Sequence, residues 1–320
     1  MNRKRSGGLR PRWTRTSFAS ALLIATAAAF ASPSFAAQTD ATTSATFLKL
    51  PVGARNAALG ATGAAEASVY SLYWNPAGLA AVEGAELAYS YSSWLANTSY
   101  QFLGYAQKTS VGTFGVSAQY LNVPGIQEYD NTGAPLSGQY RPFDGLVSAA
   151  YARQVGFVSV GVDVKAIYSK LQERTAQTVA ADVGARVDSL FGRKLSAGLT
   201  LQNAGPGLKY DQDRAPLPLN VKGGLAYSPY AGLTLCLDLN KSRGADPWLG
   251  AGVEYLLVTS PGVFIGPRAG YETDRMDLGG FAGMTMGFGL VLHKLSFDYA
   301  FVPMGDFGDT HRLSLKVAFR

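Results

Sequence analysis

The sequence contains few of the residues on which most enzymes and disulfide-bonded proteins depend. Among 320 residues there are one cysteine, Cys236, and two histidines, His293 and His311. One cysteine excludes an internal disulfide, and the histidines are not accompanied by ligands at metal-binding spacing. No Gly-x-Ser-x-Gly elbow or phosphate-binding loop is present. We therefore expect no enzyme, no catalytic residue, no metal site and no cofactor.

The chain also lacks a long apolar run after residue 36, which excludes a transmembrane helix there. The first 36 residues carry six cations and no acid, followed by the apolar stretch Phe18 to Phe30 and the small-residue exit Ser34-Phe35-Ala36. This order predicts a secretory signal peptide, residues 1–36, that is cleaved. Without those six cations, the 28 basic residues become 22 against 22 acidic ones, so no nucleic-acid partner is expected.

From residue 86 onward, apolar and polar residues alternate with period two. The last strand carries Leu313, Leu315, Val317 and Phe319 on one face, with Ser314 and Lys316 on the other. A two-faced strand that ends in an aromatic residue resembles the closing strand of a bacterial outer-membrane β-barrel. We expect these four apolar residues to form the signal for the barrel assembly machinery and to face outer-membrane lipid.

The alternation predicts an all-β fold, a transmembrane antiparallel β-barrel of about fourteen strands over residues 85–320. The predicted strands are 86–94, 100–109, 112–121, 143–152, 157–169, 177–188, 195–203, 217–228, 233–240, 248–257, 263–271, 277–287, 290–302 and 311–319. The connections near Ser110, Gln154, Phe191, Pro229, Ser260 and Gly289 should be short, whereas 122–142 and 202–216 should be long outward loops. A soluble β-sandwich is the alternative, but small polar residues on one face and aromatic residues at strand ends favour the barrel.

Residues 37–84 do not alternate and need a separate explanation. An Ala- and Gly-rich stretch, 53–60, leads through Ala64 to Tyr73, which predicts a short helix. Asn75 is suited to cap a further helical turn that begins at Pro76. These features predict a compact, partly helical element that is small enough to occupy a barrel lumen.

A family resemblance rests on the motifs of this segment. Phe47-Leu48-Lys49-Leu50, Val52-Gly53-Ala54-Arg55, Leu59-Gly60-Ala61 and Tyr73-Trp74-Asn75-Pro76-Ala77-Gly78-Leu79 together resemble the N-terminal signature of the PorV/PorQ family, within the FadL-like outer-membrane proteins. The resemblance implies a fourteen-stranded barrel with an N-terminal plug. Its implied hatch motif is Arg55, Asn75, Pro76, Ala77 and Gly78.

Charged residues predicted to face inward are the candidates for function, since charge on a lipid-facing side chain is costly. They are Asp163, Lys165, Asp182, Arg186, Lys222, Asp238, Glu254, Arg268, Asp298 and Lys316. They either pair with one another and with the hatch or select a ligand, and the hatch-side partners should be Arg55 and Glu66. Pro267 removes a ladder donor within a strand, which indicates either a simple bulge or a lateral opening toward the bilayer.

Two functions follow from the resemblance, both located in the cell outer membrane. The first is a FadL-like conduit for small hydrophobic molecules, gated by the hatch. The alternative is a PorV-like component of type IX secretion, which binds secreted protein cargo at the cell surface.

Overall fold

The protein is described by a computed structural model that covers residues 43–192 and 194–319. The predicted signal peptide, residues 1–36, lies outside the described residues. No helix within the described ranges is long and apolar enough to cross a bilayer.

The fold is a closed antiparallel barrel of fourteen strands. The first strand pairs with both the second and the last, so the sheet has no free edge. The strands of the barrel are β1 Ala85–Ser93, β2 Ser99–Lys108, β3 Thr113–Asn122, β6 Phe143–Val155, β7 Val158–Leu171, β8 Arg174–Leu190, β9 Leu195–Ala204, β12 Asn220–Tyr227, β13 Leu233–Ser242, β14 Trp248–Tyr255 with its continuation β15 Leu257–Ser260, β16 Val263–Glu272, β17 Met284–Leu292, β18 Leu295–Pro303 and β19 Asp309–Phe319. Segments β14 and β15 both pair with β16 and count as one barrel strand.

The connections differ between the two ends of the barrel. One end, here the loop end, carries the long segments 123–142 and 205–219, which contain the hairpins β4 (Ile126–Tyr129) with β5 (Pro135–Tyr140) and β10 (Leu208–Lys209) with β11 (Arg214–Ala215). The other, the turn end, has tight turns such as 156–157 and 261–262. Both long loops lie where the sequence predicts them.

The outer and inner faces of the wall have opposite character. Outward side chains such as Leu103 and Val116 are 49% and 53% exposed, whereas their inward neighbours Phe102 and Ser117 are buried. A soluble protein rarely exposes so continuous an apolar belt, but a bilayer-embedded barrel requires one. Inward side chains are mostly small or polar, and larger apolar ones such as Phe102 pack against the contents of the lumen.

The occupant is the N-terminal segment, which we define as residues 43–84. It contains the short helices Ala54–Ala58 and Ser71–Trp74 and the 3₁₀ helices Thr46–Lys49 and Pro76–Ala81. Further 3₁₀ turns lie in the loops, at Leu95–Asn97, Thr273–Leu278 and Gly305–Phe307. The helix predicted from Ala64 to Tyr73 begins only at Ser71, since the preceding residues form turns held by the barrel wall.

The sequence prediction is wrong between residues 273 and 303. The predicted strand 277–287 is instead a 3₁₀ helix and loop followed by β17, and the strand predicted at 290–302 begins only at Leu295. Gly289, predicted to mark a turn, pairs with Asp298 inside the β17–β18 ladder, and the turn lies at 293–294. Gly289 resembles a turn residue, but its missing side chain makes room for the Arg268 guanidinium, which lies 2.2 Å from where a Cβ would stand.

The two faces of β19 give a direct test of this fold. Leu315 is outward and near the middle of the strand, so Leu315→Arg should destabilise the folded barrel by roughly 2–4 kcal/mol. Ser314→Ala on the inner face loses bonds to Ser90 Oγ (3.0 Å) and from Ala54 N (2.7 Å) and should cost about 1 kcal/mol. Urea titration of heat-modifiable gel migration measures both, and a larger loss for Ser314→Ala would contradict the assignment.

Candidate functional site

The N-terminal segment lies against the lumen wall at positions where the wall has glycine. A Cβ on Gly161 would stand 2.4 Å from the carbonyl carbon of Pro76, and one on Gly198 would stand 1.8 Å from Ala64 O. Gly161 is in register with Gly184, whose Cβ would meet the side chain of Asn75. Strands β7 to β9 thus lack side chains where the segment's backbone touches them.

A second set of glycines receives the turn after the helix Ala54–Ala58. Cβ atoms on Gly250 and Gly270 would lie 2.2 Å from the carbonyl oxygen and the amide nitrogen of Gly60, respectively. Thr285 Oγ1 donates to Ala58 O (3.0 Å) and accepts from Gly60 N (3.1 Å). The segment is therefore held on two sides of the barrel by close backbone contact, which fixes its position along the lumen.

A lysine and an aspartate hold the turn between these two contacts, residues 61–64. Asp238 Oδ2 accepts from Gly63 N at 2.6 Å and from Ala64 N at 2.8 Å. Lys222 Nζ donates to Ala61 O at 3.2 Å and lies 3.8 Å from the same carboxylate oxygen. Both side chains are almost fully buried, so these bonds form away from bulk water and are correspondingly strong.

A chain of ion pairs connects the segment to strands β14, β16 and β18. Arg55 Nη2 lies 2.6 Å from Glu254, and Arg268 pairs with Glu254 at 2.6 Å and with Asp298 at 2.7 Å. Arg55 also reaches Glu66 at 3.4 Å. Burial alone would raise the pKa of Glu66, but Arg55 and the hydrogen bonds donated to its carboxylate outweigh that effect, so this pKa lies below its usual value.

The Asn75 motif fixes the last part of the segment. Asn75 Oδ1 accepts from Ala77 N at 3.1 Å and caps the 3₁₀ helix that begins at Pro76. Its amide nitrogen donates to Ala64 O (2.7 Å) and to Ala185 O in β8 (3.2 Å). Ala77 is fully buried, and a Cβ on Gly78 would stand 2.0 Å from Glu66 O.

The remaining predicted residues form separate groups, and all but the partly exposed Lys316 are buried. Lys165 pairs with Asp182 at 2.6 Å and donates to Asn203, whereas Asp163 makes no salt bridge within the described residues although it is in register with Asp182. Arg186 pairs with Asp188 and donates to Ala65 O at 3.1 Å. Lys316 lies 3.7 Å from Glu86. The structure thus brings several of the predicted charges onto the segment but leaves Asp163 and Lys165 within the wall.

Pro267 lies on the outer face of β16 and coincides with an interruption of the wall. It stays in register with Phe288 of β17. On its other side, the ladder runs from Glu254 opposite Arg268 to Leu257 opposite Ile265 with no pair between them. The amide of Leu256, at this gap, donates instead to Gly232 O (2.8 Å).

Two cavities lie on opposite sides of the turn 61–64. The turn-end cavity has a volume of about 320 Å³ and is lined by Thr62, Gly63, Asp238 and the Arg55 ion pairs. The loop-end cavity has a volume of about 100 Å³ and is lined by Ala61, Lys222 and two tryptophans, Trp74 and Trp248. The turn and its two clamping side chains therefore form the partition between the two cavities.

Several residues of this site escape sequence reasoning. The glycines of the wall, the indole of Trp248 and the amide of Asn240 carry no motif of their own, and Trp74, although part of the N-terminal motif, is not predicted to line a cavity. Of these residues, only the glycines could have been found from the sequence. They recur on the polar face of alternating strands, where no turn is expected. No group of residues within the described ranges is arranged to hold a metal ion.

The glycine contacts predict what a single added carbon does. Gly250→Ala places a Cβ 2.2 Å from Gly60 O, so the N-terminal segment should shift from its place while the barrel still closes. Trypsin should then cleave folded protein after Lys49 or Arg55, at least tenfold faster than in the wild type. Ala118→Val adds bulk on the outer face and is the control; equal protection of both variants would contradict close packing.

Known proteins resemble this chain at two levels. The profile of an uncharacterised protein family, UPF0164, matches residues 20–241. A comparison with curated protein sequences returns no match. The solved structures with this fold include the Ralstonia pickettii toluene transporter TbuX (TM-score 0.57, 12% identity), the monoaromatic hydrocarbon channel CymD (0.59, 12%) and a Pseudomonas aeruginosa FadL homologue (0.54, 11%). Each similarity covers 84% of this chain and 98% of the other.

At these identities the similarity establishes the fold alone, which this chain shares with TbuX, CymD and the FadL homologue. The resemblance to PorV and PorQ in the N-terminal motifs stays a prediction. The family match spans more than half of the sequence, and the chain belongs to the uncharacterised protein family UPF0164.

Proposed function

We propose that this protein is an outer-membrane conduit for small hydrophobic molecules and that residues 37–84 are the hatch that gates it. The observation that carries the proposal is the pair of cavities separated by the turn 61–64 inside a closed, apolar-surfaced barrel. The related folds of TbuX, CymD and the FadL homologue support it. Export by a signal peptide and insertion by the barrel assembly machinery belong to the same proposal.

Gating in this proposal is a movement of one turn. Lys222 and Asp238 hold residues 61–64 by three hydrogen bonds to the backbone. Releasing these bonds lets Ala61 to Gly63 swing and joins the two cavities, whereas the bond from Asn75 to Ala64 O and the glycine contacts keep the rest of the hatch in place. The gap in the ladder beside Pro267, near Leu256 of the turn-end cavity, offers an exit toward the bilayer.

Asp238→Asn tests the gate because it keeps the shape of the side chain and removes its charge. A charge-assisted hydrogen bond contributes about 1.5–3 kcal/mol, so weakening this pair should raise the open population roughly ten- to a hundredfold. We expect faster uptake of toluene by proteoliposomes and larger, noisier conductance in planar bilayers.

Asp211→Asn is the matched control, since it breaks an exposed pair with Arg174 that contributes little. Its uptake and conductance should equal those of the wild type. The gate is wrong if Asp238→Asn inserts normally and conducts as the wild type does. The conduit is wrong if wild-type proteoliposomes take up toluene no faster than protein-free vesicles.

A surface platform of the PorV type is the second candidate. The observation that favours it is a set of bulky apolar side chains exposed at the loop end, with Tyr129 61%, Phe281 74% and Phe307 67% exposed. Such side chains suit a protein partner. The test is a triple variant, Tyr129→Ser, Phe281→Ser and Phe307→Ser. Loss of secreted cargo from the cell surface in this variant, with unchanged toluene uptake, would favour the platform over the conduit.

A further inference from the structure

One buried amide in the loop-end cavity has nothing to bind. Asn240 projects inward from β13 and is fully buried, yet neither its Oδ1 nor its Nδ2 has a hydrogen-bond partner within the described residues. Its side chain lines the loop-end cavity. An unpaired buried amide costs free energy on both its donor and its acceptor, so a partner that supplies both is expected in the cavity.

The other buried amides that line this cavity are already engaged with the protein. Gln202 donates to Tyr73 O and accepts from Asn220, whose own Oδ1 accepts from Ser242. Asn203 donates to Pro218 O and accepts from Lys165. The engaged amides therefore leave Asn240 as the group that a ligand would address.

One part of the cavity wall is suited to a small apolar body. The indoles of Trp74 and Trp248 flank the cavity, and Leu48, Pro51 and Pro218 contribute aliphatic carbon. A volume of about 100 Å³ is roughly the share of three to four water molecules in the liquid. A head group with three or four carbon atoms attached is therefore the size that fits.

Charge at the cavity is already balanced, which favours a neutral ligand. Lys222 is in register with Asn240, but its ammonium group lies 4.1 Å from the Trp74 ring centroid and is compensated by Asp238. Lys49 and Asp274, of opposite sign, also line the cavity. A carboxylate would add an uncompensated negative charge, whereas a neutral group would not.

We propose that the loop-end cavity is a binding site for small neutral amides, recognised by Asn240. A carboxamide presents an N–H and a carbonyl side by side, so its N–H donates to Asn240 Oδ1 while its oxygen accepts from Asn240 Nδ2. This inference rests on the proposed function, because it assigns the conduit's loop-end site a polar head-group preference that a pure hydrocarbon cannot meet.

The test compares three probes of one shape on the detergent-solubilised, full-length mature protein. Isobutyramide offers a donor and an acceptor, 3-methyl-2-butanone an acceptor only, and isobutyrate a negative charge. Titration followed by tryptophan fluorescence should show saturable binding of isobutyramide at least tenfold tighter than either other probe. Asn240→Leu should lose that preference, and Asn131→Leu, the same substitution on an exposed loop residue, should keep it.

Stability gives an independent reading of the same site. Removing an unpaired amide should let Asn240→Leu fold and convert to its heat-modified band at a higher temperature than the wild type without ligand. A lower conversion temperature, equal binding of all three probes, or unchanged isobutyramide binding by Asn240→Leu would overturn the inference and indicate bound water. Asn240→Thr, a smaller polar change, repeats the binding test should the leucine variant fail to fold.

Uptake measurements keep this inference separate from the proposed function. Toluene uptake by proteoliposomes without saturable amide binding would overturn the amide site and leave the conduit standing. Amide binding without uptake of either compound would support the site and contradict the conduit.

Discussion

The backbone of the N-terminal segment is buried inside the lumen, so its hydrogen-bonding groups must find partners within the segment or in the barrel wall. A segment of some forty residues with little regular structure cannot do this alone. The convergence of Gly63 N and Ala64 N on Asp238, and of Ala54 N on Ser314, shows how the wall supplies the missing partners. The polar inner face of the strands is thus a set of partners for the segment's backbone.

The lumen glycines satisfy the second requirement, which is close approach. Hydrogen bonds of 2.6 to 2.8 Å to the segment form only where the wall lets the backbone come near, and Gly198 and Gly250 do so beside Ala64 and Gly60. Buried ion pairs also fix the orientation of the segment in the lumen. The Arg55, Glu254 and Arg268 pairs balance buried charge that would otherwise be costly, and they tie the segment to strands distant in sequence.

The sequence predicts the barrel well because strands that separate lipid from lumen must alternate. The closing strand and the two long loops are confirmed for that reason. The prediction fails at β17, where Gly289 looks like a turn residue but lies inside a strand. A Cβ on Gly287, on the same inner face, would stand 2.7 Å from the Cβ of Ala58. That contact joins residues 229 positions apart, and no local pattern reports it.

The sequence predicts which types of residue form the candidate site, but not which of these residues pair with one another. Asp238, Glu254 and Arg268 follow from alternation and the cost of charge on the lipid face. The path of residues 43–84 through the lumen decides which part of the segment each of these side chains binds. Asn240 stands out only in the structure, where its amide lacks a hydrogen-bond partner while the neighbouring amides have theirs. Long-range packing decides these details.

The turn 61–64 is held against the barrel wall by hydrogen bonds to Lys222 and Asp238, and the account depends on these bonds. Amide hydrogen exchange of the detergent-solubilised protein measures this directly at Gly63 and Ala64. The account predicts that both amides exchange as slowly as those in the middle of β13, and that Asp238→Asn accelerates them while leaving β13 protected. Exchange of both amides in the wild type at the rate of an exposed loop such as 130–134 would contradict it.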